Sequence, residues 1–285
     1  MMQAVLDISR RLEDAGIPEA RLKAELLVAE ALGINRLLLS DASDASDLSD
    51  QIGPSADRLA AGEPIQYVLG YTSFLGHRIA CDRRALIPRP ETEELVEFVL
   101  SSIPDIFDDG RHRKCQGLFR VVDIGTGTGC IAIALKLARP DAHVVATDIS
   151  PDALALACEN AAALGAEISF VEADLIPEDQ GPFDLLVANV PYVPSDDMPG
   201  LDRSVRDFEP RQALDGGFQG LEVLRRLVSK GWKKLNPGGS LFLEIGTGQG
   251  EAVKKLLEDS GFVEIQVRKD LCGHDRIVSA LTPET

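Results

Sequence analysis

The sequence predicts an α/β fold: a mostly parallel, seven-stranded sheet that ends in an antiparallel hairpin, preceded by a small all-helical domain. Three observations carry this prediction. Strands and helices alternate from residue 120 onward, a glycine-rich turn follows the first of those strands, and the last two apolar stretches are separated by a short turn. With 285 residues the chain has room for one large domain and a smaller one.

Residues 1–70 read as short helices. Val5, Ile8 and Leu12 recur at helical spacing up to Gly16. Pro18 suits the first turn of a second helix with Leu22, Leu26 and Ala29 on one side, and Asn35 suits the cap of a third. The polar stretch 41–50 reads as a loop. With 12 acids against 6 bases, this lobe is either a stability module or a surface on which a substrate protein docks. Residues 71–90, where Tyr71, Phe74, Ile79, Leu86 and Ile87 stand among Gly and Arg, read as a hairpin-like connector.

Residues 91–285 form the main domain. It opens with a helix at 91–103, in which Glu91, Glu93 and Glu94 favour the first turn and Leu95, Val96, Val99 and Leu100 give an apolar face. The polar segment 108–117 reads as a loop. Strands are predicted at 121–125, 143–148, 168–174, 183–189 and 240–246, with helices at 130–138, 151–164 and 220–235. Such alternation implies parallel strands covered on both faces. The final pair, 262–270 and 276–282, turns through Gly273 and closes the sheet as a hairpin.

Composition excludes several classes. Forty-six acids against 29 bases give a net charge of −17, so the chain has no excess of the lysine and arginine that bind a nucleic-acid backbone; a local basic groove stays compatible with this, but no direct nucleic-acid partner is predicted. No apolar run approaches the roughly 20 residues that span a bilayer, and MMQAVLDISRR lacks the pattern of a secretory signal. A soluble, cytoplasmic monomer is predicted. Five widely spaced cysteines with no Cys-x-x-Cys pair, and four scattered histidines, read as reduced thiols and packing residues, with no metal site.

Two segments carry chemistry. The first is Asp123-Ile124-Gly125-Thr126-Gly127-Thr128-Gly129, a strand end running into a turn that opens a helix. Glycines let the backbone turn tightly and let a ligand approach. Asp148 ends the next strand about 20 residues on, where a carboxylate accepts the hydroxyls of a ribose. Dinucleotide folds use a different glycine spacing with pyrophosphate on a helix N-terminus. Asp123 would repel pyrophosphate and attract the ammonium of a methionine moiety, so the pattern favours S-adenosylmethionine and resembles motif I of class I methyltransferases. A near repeat, Glu244-Ile245-Gly246-Thr247-Gly248-Gln249-Gly250, is followed at similar distance by Asp270. Arg268 and Lys269 flank that acid and the chain runs straight on into the final hairpin, so this copy reads as structural.

The second segment is Asn189-Val190-Pro191-Tyr192, at the carboxyl end of the strand FDLLVAN. Ligands of open α/β sheets bind outside such strand ends. The segment resembles the Asn-Pro-Pro-Tyr motif of methyltransferases acting on planar nitrogens. A conjugated –NH₂ is a weak nucleophile, and two fixed acceptors, the Asn189 oxygen and the carbonyl of residue 190, direct its lone pair at a sulfonium methyl. Tyr192 suits stacking on the planar amide. Val190 replaces the first proline and gives up its fixed φ.

Taken together these residues resemble the PrmC/HemK family of glutamine methyltransferases, and the likeness covers nearly the whole chain. It extends to Gly62-Glu63-Pro64-Ile65-Gln66-Tyr67, Phe74-Leu75-Gly76, Ile87-Pro88-Arg89-Pro90-Glu91-Thr92-Glu93 and Phe208-Glu209-Pro210-Arg211-Gln212-Ala213-Leu214. The resemblance implies a class I methyltransferase fold and transfer from S-adenosylmethionine to the glutamine of a Gly-Gly-Gln motif in class 1 peptide chain release factors. By position it places Gly125, Thr126, Gly127, Thr128 and Gly129 around the cofactor, Asp148 on its ribose, and Asp174 and Leu175 at the adenine. Asn189 contacts both cofactor and substrate. Leu175 stands where some members have an aromatic ring. The resemblance leaves the Arg89–Glu93 segment as either an active-site cover or an interdomain ion-pair network, Phe208-Glu209-Pro210 as a pocket wall, and Trp232 as helix packing. A ribosomal-protein glutamine methyltransferase and a DNA adenine methyltransferase are the alternatives, the latter opposed by the acidic charge.

Overall fold

The computed structural model describes residues 2–39, 49–108 and 119–284. The chain divides into two compact units, Met1–Thr72 with Asp202–Phe208, and Ser73–Leu201 with Glu209–Thr285.

The first unit is helical. Its first four described helices are α1 (Met2–Asp14), α2 (Ala20–Leu32), α3 (Ser49–Ala60) and α4 (Ile65–Leu69). Val5, Ile8 and Leu12 of α1 bury themselves against α2 and α3 as their spacing predicts. On α2 the buried stripe is Ala24, Leu27 and Val28, while Leu22 and Leu26 are only half-buried. Ala29 of the predicted face is buried with that stripe, so the face is rotated by part of a turn, with the longer leucines on its flank. The Asn35 side chain accepts from the Leu37 N–H at 2.9 Å, but what it caps is a single 3₁₀ turn, Arg36–Leu38. The predicted loop 41–50 lies outside the described residues, except that its last two positions open α3. Of the predicted loop 108–117, the first position ends the helix Pro90–Asp108, and 109–117 lie outside the described residues.

The chain leaves this unit through β1 (Tyr71–Phe74), which pairs with β2 (His77–Ala80) in a two-stranded sheet. In chain order there follow α5 (Pro90–Asp108), β3 (Arg120–Ile124), α6 (Cys130–Ala138), β4 (His143–Asp148), α7 (Pro151–Leu164), β5 (Ser169–Glu172) and β6 (Phe183–Ala188). The short α8 (Arg203–Arg206) belongs to the first unit. Then come α9 (Glu222–Trp232), β7 (Leu235–Glu244), α10 (Gly250–Asp259), β8 (Val263–Lys269) and β9 (Asp275–Leu281).

The large sheet has seven strands in the order β5-β4-β3-β6-β7-β9-β8. The first five are parallel to one another, and β9 alone runs against them, antiparallel to both of its neighbours, β7 and β8. Period-2 alternation sorts its side chains: Val121, Leu185 and Val187 enter one core with α5 and α6, and Val122, Leu186 and Ala188 enter the other with α9 and α10. Both faces are thus covered, and the strands read as near-continuous apolar runs. Two strands depart from their predicted bounds. β5 stops at Glu172; Ala173 N–H still bonds the Asp148 carbonyl at 3.0 Å, and Leu175 beyond it takes a left-handed φ of 74°. β7 begins at Leu235, opposite Phe183, and the register then shifts to Leu185↔Ser240, so Asn236–Gly239 is a bulge carried within the strand. Trp232 packs edge-on against Phe262, with centroids 5.0 Å apart. Among the described residues no helix is long and apolar enough to cross a membrane.

Candidate active site

Strand order places the site. β3 is flanked by β4 on one side and β6 on the other, and Ile124 pairs with Ala188. The next residues, Gly125 and Asn189, therefore leave the sheet side by side at its carboxyl rim, where the strand order reverses. A Cβ at Gly125 would lie 3.5 Å from the Val190 side chain and 3.7 Å from the Asn189 carbonyl oxygen. Both segments line one cavity of about 650 Å³, ample for a nucleoside-sized ligand.

The glycine turn is held by its neighbours. Thr126 N–H donates to the Thr147 carbonyl at 2.9 Å, and Gly127 N–H donates to Asp148 Oδ2 at 2.9 Å. Asp148 Oδ1 accepts from Ser150 N–H at 2.9 Å. Asp148 lines the cavity, and burial raises its carboxyl above the ordinary range despite these bonds. Asn160 of α7 donates to the Thr128 carbonyl at 2.9 Å and bonds the backbone of Ala80 in both directions, which ties the turn to β2. Gly129, at φ +83°, abuts α7, where a Cβ would meet Ala157 at 3.1 Å.

Asp123 takes a different position from the one its charge suggested. It is fully buried and absent from the cavity wall, its Oδ2 accepting from Thr126 Oγ1 at 2.5 Å and from Ala132 N–H at 3.2 Å. Through Oδ2 it braces the turn from behind, while its buried Oδ1 takes no partner among the described residues. Burial pushes its carboxyl up to about 7.

At the acceptor corner Asn189, Val190 and Pro191 line the cavity. Val190 is 2% exposed and packs into the core beside Gly125, so packing fixes the position where a proline ring would otherwise set φ. Asn189 Nδ2 donates to Thr92 Oγ1 at 3.0 Å, and Thr92 Oγ1 donates to Glu244 Oε2 at 2.7 Å. Tyr192 does not line this cavity; its ring packs on the core and its hydroxyl donates to Glu244 Oε1 at 3.2 Å. Burial raises the phenol, and pushes the Glu244 carboxyl up to about 7.

The remaining wall comes from 84–89, from Asp174 and Leu175, and from 210–213. Glu209, buried, accepts from Arg89 Nη2 at 2.5 Å and from Ile87 N–H at 3.1 Å, and so joins two of these segments. Glu93 accepts instead from Leu75 N–H at 2.8 Å and lies off the cavity wall. Asp174 is ion-paired with Arg226. Leu175 is buried, and its carbonyl accepts from Thr147 Oγ1 at 2.8 Å. Cys130 also lines the cavity, as a thiol that burial pushes up to about 12. Among the described residues no three His, Cys, Asp or Glu side chains converge as metal ligands.

Sequence reasoning passed over Thr92, Glu244 and Gln249. Thr92 sat inside a segment quoted only for its family likeness, and Glu244 and Gln249 inside the near repeat read as structural. One signal was available: Glu244 is a lone carboxylate ending an apolar strand, a place where an acid needs partners.

Comparison with known proteins agrees with this geometry. Residues 3–70 match the model of the PrmC N-terminal domain, and residues 113–199 that of the methyltransferase small domain. The release factor glutamine methyltransferase of Deinococcus radiodurans is 40% identical over 273 residues, covering 95% of this chain and 94% of the relative. That of Moorella thermoacetica is 39% identical over 296 residues, covering 100% and 99%. Among solved structures, the hMettl16 catalytic domain bound to a MAT2A 3′UTR hairpin gives a TM-score of 0.55 at 17% identity, covering 81% of this chain and 82% of that one. The T. thermophilus 16S rRNA methyltransferase RsmC, in complex with AdoMet and guanosine, gives 0.51 at 18%, covering 74% and 49%. At such identities the structures speak for the fold, which is that of the class I methyltransferases. The near full-length relatives say more: this chain belongs to the release factor glutamine methyltransferase family.

Proposed function

We propose that the protein transfers the methyl group of S-adenosylmethionine to the side-chain amide nitrogen of the glutamine in the Gly-Gly-Gln motif of class 1 peptide chain release factors. The observation that carries this reading is the single cavity lined by both the glycine turn and the Asn189 corner. The residues fit the cofactor. Gly125, Thr126, Gly127, Thr128 and Gly129 form a cradle whose φ values at the three glycines, 70°, 55° and 83°, keep side chains out of it. Asp148 stands at the cavity wall as the ribose acceptor. Leu175 offers an apolar face for the adenine, beside Asp174.

S-adenosylmethionine, when bound, supplies a methyl group on a positively charged sulfur. The protein's own part is orientation. Asn189 Oδ1 and the Val190 carbonyl accept the two N–H groups of the substrate carboxamide, which turns its lone pair toward the methyl. Positioning of this kind is worth about 7–11 kcal/mol at best. No strong base is needed, because the amide proton becomes acidic once nitrogen is alkylated and passes to water. Pro191 and Tyr192 hold the corner, Tyr192 from the core side. Substrate docking falls to the helical residues 1–70, ahead of a connector at 71–90 and a catalytic domain at 91–285. The enzyme acts as a monomer in the cytoplasm with no direct nucleic-acid contact, in keeping with its net charge of −17.

Incubation with labelled S-adenosylmethionine and purified release factor, wild type against Gly-Gly-Ala, tests the reading. Label on the wild type alone supports it; equal label on both removes the glutamine assignment.

A further inference from the structure

We propose that Thr92 and Glu244 are positioning residues that set which way the Asn189 carboxamide faces, so that its oxygen rather than its NH₂ is left for the substrate. The inference rests on the methyl-acceptor reading of Asn189. An asparagine carboxamide is nearly symmetric in shape, and a half-turn about its last bond exchanges an acceptor for a donor. In the wrong orientation Asn189 would present N–H to the N–H of a glutamine and repel it.

The hydrogen-bond chain removes that choice. In its ionised form, which dominates above about pH 7, the Glu244 carboxylate only accepts, so it takes the one hydrogen of Thr92 at 2.7 Å. Thr92 Oγ1 then has only lone pairs to offer Asn189, 3.0 Å away, and Asn189 must turn its Nδ2 toward it. Glu244 is 0% exposed and Thr92 2%, so water cannot easily replace either partner. The other oxygen of Glu244 accepts the Tyr192 hydroxyl, so one buried acid holds both ends of the Asn-Val-Pro-Tyr corner. Gln249, from the same near repeat of the glycine motif, donates to the Tyr192 carbonyl at 3.0 Å. That repeat is thus the support of the acceptor corner.

The test compares Thr92→Val, which keeps the shape and removes the hydroxyl, with Thr92→Ser, which restores it. Steady-state methylation of release factor should show kcat reduced roughly 10- to 100-fold in Thr92→Val, with the KM values for S-adenosylmethionine and release factor within about twofold of wild type, and Thr92→Ser near wild type. Unchanged kcat in Thr92→Val, or equal loss in both variants, overturns the proposal. A second measurement needs no turnover and no variant of Thr92. The side-chain amide hydrogens of Asn189, assigned by their loss from the NMR spectrum of Asn189→Ala, should exchange slowly in the wild type. Exchange as fast as in an exposed asparagine overturns the proposal. Should wild type label no release factor at all, the substrate reading fails, and the exchange measurement still decides the role of Thr92.

Discussion

The backbone N–H of Gly127 donates to the carboxylate of Asp148 at 2.9 Å, so the acid ending β4 and the turn leaving β3 form one braced unit. Asp148 therefore has two tasks: it stiffens the cradle, and it presents its remaining acceptor capacity to the cavity.

Replacing Asp148 should for that reason weaken cofactor binding rather than only slow turnover. Hydrogen bonds to a charged group are worth about 1.5–3 kcal/mol, so Asp148→Ala is expected to raise the Kd for S-adenosylmethionine roughly 10- to 100-fold. Isothermal titration calorimetry measures this directly. An unchanged Kd would place the ribose elsewhere.

Gly129 should resist substitution for two separate reasons. Its φ of +83° is one that L side chains rarely adopt, and a Cβ there would sit 3.1 Å from Ala157 and 3.3 Å from Ile133. Gly129→Ala is expected to destabilise the fold by about 1–3 kcal/mol, which lowers Tm by several degrees. Gly165, also left-handed but with open space around it, gives the comparison: Gly165→Ala should cost less.

Asp123 makes a prediction in pH. Burial raises its carboxyl from the ordinary 3.8 to about 7, so the folded protein holds a proton there that the unfolded chain has already released. Its contribution to stability is fully present below pH 4 and is lost as pH rises through about 7. Thr126 Oγ1 and Ala132 N–H face the group, and the charge of Asp148 opposes its ionisation. Asn cannot ionise, so the Tm of Asp123→Asn minus that of wild type should increase from pH 4 to about 7 and level off above it. Thermal melts at several pH values measure it, and a difference independent of pH would count against this account.

Much of this architecture is legible in residue order because the strands are buried on both faces. Runs such as Val121-Val122 and Leu185-Leu186-Val187 have no other stable home, and the last strand pair announces itself by the turn at Gly273. The cavity wall is legible for the same reason: Gly125 and Asn189 follow strand ends, and strand ends are where such sheets bind ligands. What periodicity could not supply were contacts between residues far apart in the chain. Thr92 and Glu244 are 152 positions apart, and neither shows in isolation that it belongs with Asn189. At Asp123 the position beside the glycine turn is clear from the sequence, but its orientation depends on the Thr126 hydroxyl and on the first turn of α6, which hold its Oδ2. On α2 the choice between two overlapping helical stripes is settled by packing within the helical unit, a tertiary fact.

The division of labour between the two halves of the cavity is tested most directly by Asn189→Ala, with cofactor binding by calorimetry and single-turnover methyl transfer to release factor measured on the same preparation. The account predicts a Kd for S-adenosylmethionine within a few-fold of wild type and a transfer rate lower by roughly 100-fold or more, the scale seen when one orienting group is removed from an active site. Transfer at the wild-type rate, or a loss wholly explained by failure to bind the cofactor, would contradict it.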